Sequence, residues 1–106
     1  MSFVQISYAK VVTTDVPVDA IGTAVELAVT RAGNRQAVEI VNCTTGTVKI
    51  AQTTDSTLTS STIVMDDDNF DASLSTGSVK VYGAMPSVRF FAMSDAAGTV
   101  RILEYF

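Results

Sequence analysis

The sequence predicts an all-β protein, a small antiparallel β-sandwich or barrel of about six to eight strands. Three observations lead there. Thr and Val are the commonest residue types, and both favour extended backbone. Apolar and polar residues alternate over short runs. Gly, Asp, Asn and Ser break those runs at close spacing. A length of 106 residues suits one domain, and residues 1–106 are read as one, without linker or internal repeat.

Residues 1–12 read as a first strand, with Phe3, Val4, Ile6, Tyr8 and Val11 as its apolar positions. Residues 13–23 read as a loop, because Asp15, Pro17, Asp19 and Gly22 are turn residues. Residues 24–30 alternate Val25, Leu27 and Val29 with smaller or polar residues, the mark of a half-buried strand. Helix is the rival over residues 20–32, since Ala, Glu and Leu are good helix formers. Residues 31–35, with Gly33-Asn34, form a turn.

Two strands at residues 35–42 and 47–51 are expected to form a hairpin around Thr44-Thr45-Gly46, with Gly46 left-handed. Cys43 then faces Thr47, Ile40 faces Ile50, and Glu39 comes near Lys49. Residues 52–62 are a polar Thr/Ser-rich loop or weak edge strand, and residues 59–65 suggest another strand. An acidic turn at residues 66–69 precedes a strand at residues 70–75. A Thr76-Gly77 turn, a strand at residues 78–82 carrying Val79 and Val81, and a break at residues 83–86 come next. A last hairpin joins residues 88–94 to residues 99–106. An even loop sets Arg89 against Glu104, Phe91 against Ile102 and Met93 against Val100. Both faces of that hairpin are largely apolar, so one needs a cover.

Charged residues make up 17% and apolar residues 47%, which excludes a disordered chain. A net charge of -4 lacks the basic footprint that nucleic acid requires, and it does not suit an anionic membrane surface. No apolar run approaches the roughly 18 residues of a membrane helix. No charged-then-apolar leader is visible, so a route independent of a signal peptide is expected. The lone cysteine, Cys43, cannot staple the fold internally and reads as a small buried apolar residue.

Catalysis finds few footholds. The chain has no His, which removes the Ser-His-Asp triad and imidazole ligation of a metal. No phosphate-binding glycine loop is present. Asp66, Asp68 and Asp71 loosely resemble a calcium loop. The sixth and twelfth positions hold Asp71 and Gly77 where an EF-hand needs Gly and Glu, so an exposed acidic turn is the simpler reading. Glu26 and Glu39 are a nominal glycosidase pair without an evident sugar cleft. Asn42-Cys43-Thr44 matches a glycosylation acceptor, but Asn42 reads better as a residue that caps its own turn. The chain is therefore read as non-enzymatic, with no cofactor and no metal.

Asn34-Arg35, then Val38-Glu39-Ile40-Val41-Asn42, then Gly46-Thr47-Val48-Lys49-Ile50 resembles a pattern in small structural proteins of tailed-bacteriophage virions. The ending Gly98-Thr99-Val100-Arg101-Ile102-Leu103-Glu104-Tyr105 is similar to the closing strand of the same proteins. Lys49 departs from the commoner Tyr or Phe at its position. The resemblance implies a β-sandwich in the virion that decorates or cements the capsid, or sits at a neck, vertex or fibre base. Its partners would be the major capsid protein or other virion proteins, with self-association as a dimer or trimer. The face formed by Phe91, Met93, Val100 and Ile102, with Phe106, is the expected contact surface. A carbohydrate- or receptor-binding sandwich is the alternative, although the chain has no Trp for a sugar platform.

Overall fold

The computed structural model describes residues 10–27, 35–66, 68–83 and 88–106. They form eight strands: β1 (Val11–Val18), β2 (Val25–Glu26), β3 (Ala37–Asn42), β4 (Val48–Thr53), β5 (Ala72–Leu74), β6 (Val79–Tyr82), β7 (Arg89–Ser94) and β8 (Gly98–Tyr105). Two four-stranded sheets result, in the orders β1-β8-β3-β6 and β2-β7-β4-β5, and every neighbouring pair is antiparallel. Every connection except β4 to β5 passes from one sheet to the other. This is the strand order of the eight-stranded jelly roll, and it is a sandwich as the sequence predicts.

The core lies between the sheets. Val38, Ile40, Val100 and Ile102 from the first sheet meet Val48, Ile50, Phe90 and Ala92 from the second, all fully buried. Period-2 alternation puts these residues inside and their neighbours outside. Tyr82 packs on Phe90, with ring centroids 4.9 Å apart.

The crossing connections overturn both predicted hairpins. β3 pairs with β6 and β8, while β4 pairs with β5 and β7, so Glu39 and Lys49 belong to different sheets. Likewise β7 and β8 are in different sheets, and Phe91 lies opposite Ala51 and Glu26, not Ile102. Each of the two loops is an arch that lets its strands face each other across the core. Cys43, expected to be buried, is exposed in the first arch.

Gly46 does not have positive φ, so it is not the left-handed residue of a hairpin loop. Its need for hydrogen is steric. A Cβ there would collide with the Asp95 carboxylate and come within 2.7 Å of the Ala96 Cβ. The two arches nest at this point, and the Thr47 amide donates to Asp95 Oδ1 at 2.7 Å. Replacing Gly46 with Ala must force the nested loops apart. A lowered urea midpoint equivalent to about 1–3 kcal/mol is expected. Gly77, with φ of 77°, does use the left-handed region, in the turn closed by Ser78 N to Ser75 O.

Three other expectations change. β1 runs through Asp15 and Pro17, where the sequence suggests a loop. As an edge strand it tolerates proline, and Arg101 of β8 engages Asp15. Residues 59–65 form turns instead of a strand, held by Thr59 and Thr62 hydrogen bonds. Strand is found at Val25–Glu26, where helix was the rival. Residues 1–9, 28–34, 67 and 84–87 lie outside the described residues, including most of the first predicted strand, the Gly33-Asn34 turn and most of the break at residues 83–86.

Candidate functional site

The outer faces of the two sheets differ. On the second sheet, Arg89, Phe91 and Met93 alternate with core-facing Phe90 and Ala92 and so point outward. They are nevertheless buried, as is every residue of β7. The chain supplies the cover. Residues 54–66 and 68–71 of the long β4–β5 connection lie over one part, and Arg89 Nη1 donates to the Asp55 carbonyl at 2.9 Å. Residues 19–23 approach the other part, with Gly22 beside Met93. Arg89 also grips Glu26 through two hydrogen bonds, at 2.7 and 3.1 Å, and its guanidinium stacks over the Phe91 ring. The Glu26 hydrogen bond holds the Arg89 guanidinium above its ordinary pKa range.

The predicted contact surface therefore does not exist as one face. Phe91 and Met93 are covered by the chain's own loops, while Val100 and Ile102 are core residues. Phe106 is half-buried at the end of the first sheet, exchanging backbone hydrogen bonds with Lys10. The error follows from the arch. Apolarity on both faces of β7 reflects a strand that packs on the core with one face and under the chain's own loops with the other.

The outer face of the first sheet is open. Val11 is 49% exposed, Val79 49% and Val81 62%. Between them on the same face lie the partly exposed Val41, Leu103 and Tyr105, since Val41 is opposite Val79 and Leu103 is two places from Arg101. Asp15 and Arg101 form a bidentate ion pair on this face, at 2.7 and 3.1 Å. The Arg101 hydrogen bond holds the Asp15 carboxyl below the usual range. Glu39, half-buried opposite Leu103, makes no ion pair among the described residues. Sequence reasoning missed this face because β6 inverts the expected alternation. Register puts Lys80 opposite Ile40 on the inner side and turns Val79 and Val81 outward. Lys80 escapes at the sheet edge, with its ammonium 5.7 Å from the Tyr82 ring centre. A four-residue strand with Lys between two Val carries no sequence signal for that inversion.

The acidic residues are used locally. Asp66 Oδ1 accepts from the Asp68 amide and from Asn69 Nδ2, each at 2.8 Å, and the first bond chiefly lowers its pKa. Asp71 Oδ2 accepts from the Gln52 amide at 2.8 Å. Among the described residues no three His, Cys, Asp or Glu side chains converge as a metal site. Glu26 and Glu39 lie on opposite outer faces of the sandwich and cannot flank one glycosidic bond. A shallow cleft of about 500 Å³ runs along the second sheet, lined by Gln52, Thr62, Asp68, Asn69 and Phe70 among others.

Arg35 and Glu104 form a buried ion pair at 2.9 Å, and Arg35 Nη2 donates to the Val88 carbonyl at 2.8 Å. This pair joins the two stretches that carry the sequence resemblance. Comparison with protein-family models, with curated proteins and with solved structures finds no match to this chain.

Proposed function

We propose that the chain is a structural component of a tailed-bacteriophage virion, a decoration or cement protein that bridges neighbouring capsid subunits. The observation that carries this reading is the asymmetry of the sandwich. Among the described residues, loops cover one outer sheet face while the other carries the exposed Val11, Val79 and Val81. Such a patch is the usual mark of an interaction surface. The sequence resemblance at residues 34–50 and 98–105 supplies the virion context, and jelly rolls recur in viral capsid domains by analogy of fold. The mechanism is passive. Burying the open face against the shell makes separation of subunits cost more free energy.

Quantitative mass spectrometry of density-purified particles from the source culture tests the reading. A copy number comparable to the major capsid protein is expected. A copy number near one ring would move the chain to a neck, vertex or fibre base, and absence from particles would remove the virion role.

A second reading is a carbohydrate-binding module. Phe70, 40% exposed, borders the cleft with Asp68, Asn69 and Gln52, and jelly rolls also occur in lectins. Binding of the isolated chain to a glycan array, lost in Phe70→Ala, would favour it.

A further inference from the structure

We infer that the open face of the first sheet docks on an apolar protein surface that presents a Lys or Arg side chain to Glu39, and that Glu39 sets the specificity of that docking. The inference rests on the decoration reading and names the chemistry of the partner. Asp15 and Arg101 neutralise each other on this face. Among the described residues, Glu39 is then its one uncompensated charge, set among Val41, Val79, Val81 and Leu103. Covering that carboxylate with an aliphatic surface alone would strip its water without replacement. A partner cation restores the lost interaction and rejects surfaces that lack one.

A second copy of the chain fits poorly. Four strands at their usual spacing give a face about 20 Å wide and about 20 Å long, roughly 400 Å². A footprint of that size is small for any single contact, with a second copy or with a shell surface. Face-to-face packing would bring two Glu39 carboxylates into one apolar layer, between chains that each carry a net charge of -4. A shell holding many copies does not need each contact to be strong alone.

The test uses purified shells of the source phage assembled without this chain, to which the recombinant protein is added and co-sedimented at low and high salt. Val81→Asp, Glu39→Gln and Glu39→Arg are compared with the wild type, after matched urea midpoints establish that each is folded. Val81→Asp is expected to weaken binding at least about 10-fold. Glu39→Arg should weaken it more than Glu39→Gln, and Glu39→Gln should flatten the salt dependence. Wild-type binding that survives Val81→Asp would overturn the face while leaving the decoration role intact. Equal binding by Glu39→Arg and wild type would overturn the partner's charge. A concentration-dependent dimer in sedimentation, abolished by Val81→Asp, would make a second copy the occupant and overturn the inference. Shells that take up no wild-type protein would remove the decoration reading, and this inference with it.

Discussion

Glu104→Ala is expected to cost about 3–5 kcal/mol of stability, enough to unfold much of a domain whose total is about 5–15 kcal/mol. Glu104 is 1% exposed and Arg35 2%. The guanidinium is held from several sides: Glu104 at 2.9 Å, the Val88 carbonyl at 2.8 Å and the Phe90 ring at 5.6 Å. Removing the carboxylate leaves a cation in an apolar layer, where a charge is far more costly than in water. The partner change, Arg35→Met with Glu104→Leu, removes both charges and fills the space with carbon. It should recover most of the loss, because a buried pair owes much of its apparent value to the penalty of breaking it. Urea unfolding of Arg35→Met, Glu104→Leu and the double variant measures the coupling directly. A cost under about 1 kcal/mol for Glu104→Ala would mean that water reaches the pair and that it does not organise the fold.

That pair also marks the limit of what the sequence revealed. The positions of β3, β4, β6, β7 and β8 follow from alternation to within a residue or two, and the sandwich follows from them. Partners do not. Arg89 and Glu104 look paired because the loop between β7 and β8 is short, yet Arg89 binds Glu26 and Glu104 binds Arg35. Loops of three residues, as between β7 and β8, or of five, as between β3 and β4, serve a hairpin or an arch equally well, and local residues do not choose between them. The choice is made by burial. The inner residues Phe90 and Ala92 of β7 and Val100 and Ile102 of β8 cover one another across the core only because the two strands lie in different sheets. Turn residues misled the reading of β1 for a related reason. Asp15 and Pro17 disfavour a central strand, but at a sheet edge one meets Arg101 and the other loses no ladder bond. The open face of the first sheet was hidden by the same dependence on register, because the orientation of Val79 and Val81 follows from the pairing of β6 on β3. Asn42 as its own turn cap was legible, since that role depends on chemistry within a few residues.

Asn42→Ala should cost about 3 kcal/mol or more, although it removes no charge and little apolar surface. Asn42 is 0% exposed. Its Nδ2 donates to the Gly46 carbonyl at 2.8 Å and to the Leu74 carbonyl at 2.9 Å. Its Oδ1 accepts from the Thr44 amide at 2.8 Å and from Thr44 Oγ1 at 2.7 Å. One side chain thus ties the β3–β4 arch to itself and to the end of β5. Backbone bonds extend the tie: Gly77 N donates to the Asn42 carbonyl, and Cys43 N to the Thr99 carbonyl. Three of the four connections at this end of the sandwich, β3–β4, β5–β6 and β7–β8, meet there. Truncation orphans buried polar groups, each worth about 1–3 kcal/mol when left unsatisfied. Asn42→Asp separates shape from chemistry. An ionised carboxylate keeps the acceptor but turns an oxygen toward two carbonyl oxygens, whereas a protonated one can still donate to one of them. Folding therefore raises the pKa of the new carboxyl above its unfolded value of about 3.9. Its contribution is then fully present below the unfolded pKa and is lost as pH rises through the folded one. The gap between Asn42→Asp and wild type should widen from about pH 3 to about pH 7, while the gap for Asn42→Ala stays level across that range. Parallel pH profiles for the two variants would show that the amide is not held against those carbonyls.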